Sequence, residues 1–481
     1  MTYRFICNDR DYTDTKVYDE NSLKETNVLP IIKLFNHDVF SIDDNGIHYI
    51  THSSVRNTSM SGILILKKNK TYGKFKDKFL YKCIPDDKRL PEFLVPYTMN
   101  IKDFSKKYTN KYAVFIYNNW NLKHPIGKIT QIIGGVNIEN NYYEYVLHCK
   151  CLNNSISYFN QSMNNRLKQK SVEQYFDSII KSTKIDDRRH INVYTIDSSK
   201  TLDYDDAFSL TRTEGNSLTL SVYIANVSVW LDVLCLWEAF SRRVSTIYLP
   251  DKKRPMLPVI LSENLCSLKE GVDKIAFAMD VTINDNKVTD ISYYNCLINV
   301  KQNMVYEHES TLNNQDYIDT FNLVNTLNTN NKIMGKIKTS VDLVTYLMLL
   351  FNNRCANEMI KHKNGVYRVT KGTAVSDIDK SAPEELSDFI TIWKSMSGEY
   401  TSFKNIKPHC LLKFDNYIHI TSPIRRLVDL LNITIIQKNL NMVDFTPSAI
   451  QFYTNWLNEL EYINVTMRSI RKIQYDCNLL H

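Results

Sequence analysis

Glycine and proline are scarce, at 12 each in 481 residues. A collagen-like repeat or a mainly disordered chain would need far more of both, so neither class fits. Long apolar runs are missing too. No stretch approaches the roughly 18 apolar residues of a spanning helix, so no membrane partner is expected. The opening residues, Met1 to Asp14, lack the apolar core of a secretory signal. The expected compartment is the cytoplasm, with the nucleus as the alternative. Charge of one sign is not in large excess: 59 Lys and Arg against 52 Asp and Glu leave +7. That balance is compatible with a nucleic-acid partner and does not demand one. The 10 cysteines form no repeated Cys-x-x-Cys pattern. Cys149 and Cys151, beside His148, are the closest pair and would share one face of an alternating strand. That stretch supplies too few ligands for zinc, so free thiols in a reducing compartment are expected.

What is present is an ordinary globular composition, 43% hydrophobic and 23% charged. The length suggests about three domains with large cores and no need of covalent staples. Residues 1 to about 180 read as β-rich. Strand candidates are Ser61–Leu66, Lys111–Ile116, the segment after the turn His124–Gly127, and Tyr142–Leu147. Short strands punctuated by Gly and Pro suggest small barrels. Basic and aromatic residues interleave here, as in a single-strand-binding surface. The same pattern also describes core aromatics beneath a solvated lysine face. Residues 185 to 440 read as mixed α/β, with helices over Ser340–Ile360 and Phe389–Met396, and a last helix over Ile450–Tyr475.

Two segments carry chemistry. In Tyr194–Leu210 a strand enters a polar loop and a second strand leaves it. Asp197, Asp203, Asp205 and Asp206 fall within that loop and its edges. Two carboxylates ~4 Å apart repel by about 1 kcal/mol in water and about 4 kcal/mol at an effective dielectric of 20. A loop that converges them needs a cation or raised pKa values. Oxygen ligands favour Mg²⁺ or Mn²⁺ over zinc. A calcium loop starting at Asp203 fails at its sixth position, Phe208, where the turn needs Gly. A solvated loop with separated carboxylates is the competing reading.

The second segment is Tyr417–Asp429. Ser422 reads as an N-cap and Pro423 as the first helical residue. Arg425 and Arg426 would then sit at the helix end that disfavours cations. Their presence suggests an anionic partner: the aspartates, a phosphate, or both. Asp429 is placed to tether one of them.

Together these segments resemble the RNase II/RNase R family of exoribonucleases, closest to its eukaryotic-type branch. The acidic loop is similar to the family's TID…D-x-DD-A motif. Tyr248–Pro258 resembles YLPD…PMLP, Leu261–Leu268 resembles LS…LCSL, and Ile418–Arg426 resembles THFTSPIRR. Asp87–Pro91 and Trp120 with His124–Gly127 look like the second cold-shock-type barrel of that branch.

The resemblance implies an α+β chain: N-terminal OB-fold, cold-shock-like β-barrels followed by a mixed α/β RNB catalytic domain. Residues 1–95 would form the first barrel, 96–180 the second, and 185–481 the catalytic domain with its C-terminal helix. Too little chain follows Arg425 for the family's C-terminal RNA-binding barrel, and no long N-terminal extension holds an exosome-tethering domain. A monomer outside an exosome-like complex is expected. The implied activity is Mg²⁺-dependent (with Mn²⁺ as alternative) 3′→5′ hydrolysis of single-stranded RNA to nucleoside 5′-monophosphates. Asp197, Asp203, Asp205 and Asp206 would hold the metals, with Asp205, Asp206 and Arg425 catalytic. Tyr248, Tyr306, His419, Ser422 and Arg426 would contact RNA. The chain departs from the family pattern at Tyr223 and Asn226, at Thr345, and at Ile433 and Thr434. These departures bear on substrate grip and processivity. A non-catalytic RNA-binding regulator and a scaffold subunit of an RNA-degrading complex are the alternative readings.

Overall fold

A computed structural model describes residues 1–98, 108–212, 217–370 and 398–480. Two compact units make up the chain. One is Met1–Asn153 with Leu249–Asp251 and Tyr475–His481; the other is Asn154–Tyr248 with Lys252–Gln474.

The first unit begins with an open five-stranded sheet of Thr2–Cys7, Thr15–Asp19, Glu25–Thr26, Val39–Ile42 and His48–His52. Its spatial order is third, second, first, fourth, fifth. Tyr3, Phe5 and Cys7 alternate inward, the period-two pattern of a half-buried strand. Next comes a closed barrel of Ser59–Leu64, Lys78–Pro85, Phe93–Pro96, Lys111–Asn119 and Ile126–Gly135. The first strand pairs with the second and fourth, the fourth with the fifth, and the third with the second and fifth. Only the third and fifth run parallel, Leu94 beside Ile126. This is the five-stranded OB arrangement. Gly62 allows the closure, because a Cβ there would lie 2.6 Å from the Ile84 carbonyl oxygen.

The barrel moves the expected boundary at residues 95 and 96. Phe93–Pro96 belongs to the second barrel, which closes only when strands on both sides of that point pair. The first sheet ends at His52, and residues 139–182 are mainly helical. Tyr142–Leu147 is not a strand. It lies within the helix Glu139–Cys149, whose run has no Gly or Pro and carries Glu139 in its first turn. The Tyr145 ring stacks on Tyr112 at 4.3 Å, which holds this helix on the barrel. Cys149 therefore ends a helix, and Cys151 beyond it is exposed, so they share no strand face. The aromatics divide between both earlier readings: Phe93 and Phe115 are core, while Phe79 is 48% exposed beneath the Lys74 ammonium.

The second unit is built on Ile185–Asp187, Val193–Asp197, Asp206–Arg212, Leu218–Ala225, Asp273–Asn284 and Lys287–Val305. The last strand runs parallel to Ile185–Asp187 and Val193–Asp197 and antiparallel to Asp273–Asn284, so five of the six close into a ring. Val193–Asp197 and Asp206–Arg212 pair antiparallel at Tyr194 and Phe208. One strand thus ends where its neighbour begins, which puts Asp197 and Asp206 at the same edge.

The helix Leu427–Asn439 is buried on every face from Leu427 to Gln437 and runs through the core of this unit. Ser340–Lys361 is helical as expected, opened by a Thr339–Asp342 capping box. The expected last helix is two, Pro447–Asn458 and Leu460–Leu480. Glu459 between them is drawn out to pair with Arg242. The expected helix Phe389–Met396 lies outside the described residues. Among those described, no helix is long and apolar enough to cross a membrane.

Candidate active site

The acidic loop is pinned by the segment that follows it in space. Ser267 Oγ accepts the Tyr204 N–H at 3.0 Å and donates to the Leu202 carbonyl at 3.1 Å. The Leu268 N–H donates to the Tyr204 carbonyl at 3.1 Å. Ser267 and Leu268 are fully buried, so the loop is fastened from the core side. It borders a cavity of about 580 Å³ lined by Asp197, Asp203, Asp205, Asp206, Tyr248, Tyr306 and Arg425, with Lys200, Lys253 and loop residues. Seven of the ten expected site residues meet there.

Each carboxylate has its own surroundings. Asp205 is 3% exposed. Its Oδ1 accepts the Ile424 N–H at 2.9 Å and its Oδ2 accepts Arg425 Nε at 3.2 Å. Burial nonetheless pushes its carboxyl up to about 8, against the pull of Arg425. Asp203 takes Lys253 Nζ at 3.2 Å. Asp197 has a buried Oδ2 with no hydrogen-bond partner. Burial, then Asp205, raises the Asp197 carboxyl; burial, then Asp197, raises that of Asp206. The Tyr306 N–H donates to the Asp197 carbonyl at 2.9 Å, which fixes that tyrosine beside the pair. Burial and the neighbouring aspartates also raise the hydroxyls of Tyr248 and Tyr306, leaving both neutral.

The Ser422–Arg426 segment is a turn, not the start of a helix. The Ser422 carbonyl accepts the N–H groups of Arg425 and Arg426 at 3.2 and 3.0 Å. Arg426 has extended backbone and forms a β-bridge with Ser245, so the helix begins only at Leu427. The clash between two arginines and the helix dipole therefore does not arise. Ser422 Oγ accepts from both guanidinium groups, at 2.9 and 3.1 Å. The buried Asp429 accepts the Ser422 N–H and Arg426 Nη2, both at 2.8 Å. Ser422 and Arg426 brace Arg425 and do not line the cavity. His419 lies off it as well, its Nδ1 bonded to the Tyr400 hydroxyl at 2.8 Å. Burial and the nearby Arg426 and Arg368 hold that imidazole neutral.

As the side chains stand, the described residues include no three acidic, His or Cys groups closed around one point as for an ion. Asp203 and Asp205 are turned to Lys253 and Arg425, while Asp197 and Asp206 make no direct ion pair among the described residues. The donor set is oxygen only, one buried oxygen is orphaned, and burial raises the carboxyls of Asp197, Asp205 and Asp206. These features fit a hard divalent cation.

Lys253 and its second partner, Glu263 at 2.7 Å, were not legible as site residues. Lys253 sits inside the Tyr248–Pro258 motif, but only the short ladder pairing Tyr248 with Lys253 turns it to the aspartates. The charge count around four aspartates was the one available signal.

Comparison with known proteins agrees with this architecture. The RNB domain model matches residues 185–341 and 320–442, and the Dis3-like cold-shock domain 2 (CSD2) model matches residues 80–148. Ribonuclease R of Chlamydia pneumoniae is 25% identical over 325 residues, 54% of this chain and 48% of that protein. Human exosome complex exonuclease RRP44 is 31% identical over 154 residues, 32% of this chain and 16% of that one. The chain spans about half or less of the length of these curated relatives. Mycoplasma genitalium RNase R in complex with ribose methylated single-stranded RNA shares the fold at TM-score 0.72 and 16% identity, over 99% of this chain and 85% of that one. Yeast Ssd1, a pseudonuclease, shares it at TM-score 0.63 and 11% identity, over 99% and 73% of the two chains. With the RNB domain matched across more than half of its length, the chain belongs to the RNB-domain family.

Proposed function

We propose that this protein is a 3′→5′ exoribonuclease that hydrolyses single-stranded RNA to nucleoside 5′-monophosphates. The observation that supports it is the meeting of four aspartates, Arg425 and two tyrosines around one cavity. Tyr248 and Tyr306 offer ring faces to terminal bases; stacking of this kind is worth about 1–3 kcal/mol per base and tolerates any sequence. Arg425 carries a fixed cation to the phosphoryl oxygens where charge grows as water adds to phosphorus. The Asp205 carboxylate and the Ser422 hydroxyl hold that guanidinium in place before RNA arrives. Asp197, Asp203, Asp205 and Asp206 would hold Mg²⁺, with Mn²⁺ as the alternative, which supplies an activated water and charge neutralisation. The leaving ribose 3′-oxygen takes up a proton from water as its bond to phosphorus breaks.

A second reading, an RNA-binding regulator without turnover, draws on one observation: Asp203 and Asp205 already have basic partners. One experiment separates the two. A 5′-labelled single-stranded RNA is incubated with the protein and Mg²⁺ or EDTA and resolved on a sequencing gel. The nuclease produces a ladder shortening from the 3′ end with Mg²⁺ only, and Asp206→Asn abolishes it while RNA binding persists. Uncut RNA with a mobility shift, or undiminished turnover by the Asp206→Asn protein, would reject the proposal.

A further inference from the structure

Lys253 is a cation already resident in the acidic cavity. It lies on the two-residue strand Lys253–Arg254, opposite Ile247–Tyr248, so its backbone is held across from Tyr248. Its ammonium bridges two carboxylates: Asp203 Oδ1 at 3.2 Å and Glu263 Oε1 at 2.7 Å. Asp203 lines the cavity; Glu263 does not. Glu263 belongs to the separate helical turn Ile260–Leu265, just before the Ser267 clasp. All three side chains are mostly shielded, at 23% exposure for Lys253, 11% for Asp203 and 18% for Glu263. Burial alone would lower the Lys253 ammonium, yet Glu263 and Asp203 hold it above the usual lysine value.

A lysine head has three rotatable donors on a flexible stem, so it can lose one acceptor and keep another. A divalent cation at the aspartates would repel an ammonium that also competes for Asp203. With Glu263 as the shorter contact, Lys253 has a place to go that leaves no buried charge unpaired.

We infer that Lys253 is a positioning residue which satisfies Asp203 in the metal-free site and is handed over to Glu263 when a divalent cation binds. This rests on the reading of the aspartates as a metal site. In it, Lys253 sets the divalent-ion threshold of the cavity, and Glu263 acts through Lys253.

Titration calorimetry of the full chain with Mg²⁺ alone tests this, without RNA or turnover. Lys253→Met removes the competing charge and should tighten the Mg²⁺ Kd by about fivefold or more. Glu263→Gln strands Lys253 on Asp203 and should weaken it by a similar factor. In the Lys253→Met/Glu263→Gln double variant the effect of Glu263→Gln should largely vanish, because neighbours acting through one contact are not additive. An unchanged Kd for Lys253→Met overturns the inference. So does a full, additive Glu263→Gln effect in the double variant, which would mean that Glu263 acts on the ion directly. If Lys253→Met fails to fold by thermal melting, Lys253→Gln carries the same expectation. Absence of Mg²⁺ binding to the wild-type chain, or binding unaffected by Asp206→Asn, overturns the metal reading itself. Mg²⁺ binding that Asp206→Asn abolishes and Lys253→Met leaves unchanged overturns the hand-over alone.

Discussion

Arg425 Nε donates to Asp205 Oδ2 at 3.2 Å, while the neighbouring Ile424 N–H donates to Asp205 Oδ1 at 2.9 Å. One buried carboxylate thus ties the arginine turn to the acidic loop, and the pairing fixes where a guanidinium charge stands before any substrate enters. Arg425→Ala should lower the single-turnover rate of hydrolysis by about 10²–10³, the usual loss for one charge-stabilising donor. The Kd for single-stranded RNA should change much less. Rapid-quench kinetics beside fluorescence anisotropy would separate the two, and an equal loss in both would reject the role.

The same crowding of carboxyls makes stability depend on pH. Burial raises the Asp205 carboxyl to about 8, and those of Asp197 and Asp206 rise for the same reason. A carboxyl whose folded pKa lies above its unfolded value binds more protons when folded. Stability therefore falls as pH rises between the unfolded pKa, about 4, and the folded one. The metal-free protein should melt at a lower temperature at about pH 8 than at about pH 5.5, and saturating Mg²⁺ should remove most of that slope. Differential scanning calorimetry with and without EDTA would show it; a slope of opposite sign would mean the carboxyls are stabilised as anions by the protein alone.

The clasp on the acidic loop has a separable cost. Ser267→Ala removes the buried hydroxyl that serves both the Tyr204 N–H and the Leu202 carbonyl on the half-exposed loop. The expected loss is about 0.5–1.5 kcal/mol in urea denaturation. Hydrolysis should fall with it, since the loop carries Asp203, Asp205 and Asp206.

Asn226 occupies a position where the family pattern has an acid, and its surroundings say why an amide suits. Its Nδ2 donates to Asn295 Oδ1 and Gln437 Oε1, both at 2.9 Å, in a fully buried network. Its Oδ1 accepts from Ser228 Oγ and Gln437 Nε2, so Asn226→Asp would keep those bonds but turn the donor into an anionic oxygen facing two amide oxygens, at a cost of about 3–5 kcal/mol at neutral pH. Restoring the family residue should therefore unfold the protein more easily in denaturant and not raise turnover. Equal or greater stability would show that the network rearranges around the charge.

Much of the site was legible from local pattern. The spacing of Asp197, Asp203, Asp205 and Asp206 between two strand-like runs pointed to converging carboxylates, because charge crowding within a short loop must be compensated. The family resemblance placed Tyr248, Tyr306 and Arg425 with them. Less legible was anything decided by a partner far away. Ser422 reads locally as a helix cap, yet Asp429 takes its N–H and Ser245 bridges Arg426, so the helix starts later. His419 resembles a substrate contact in its motif, yet it packs between Tyr400 and Tyr417. Tyr142–Leu147 has strand-like residues, but stacking on Tyr112 favours a helix there.

By itself the sequence determined a β-rich N-terminal region, a mixed α/β remainder without long apolar runs, and the acidic loop with its arginine segment; the OB-type α+β architecture was legible through the family resemblance. The first set follows from residue spacing and chemistry that act over a few positions. Only the tertiary structure decided where the barrel closes, which aspartates lean on Arg425 and Lys253, and which of the expected site residues line the cavity. Those outcomes rest on strand register and on buried charges choosing among distant partners, where each choice depends on the whole packed neighbourhood.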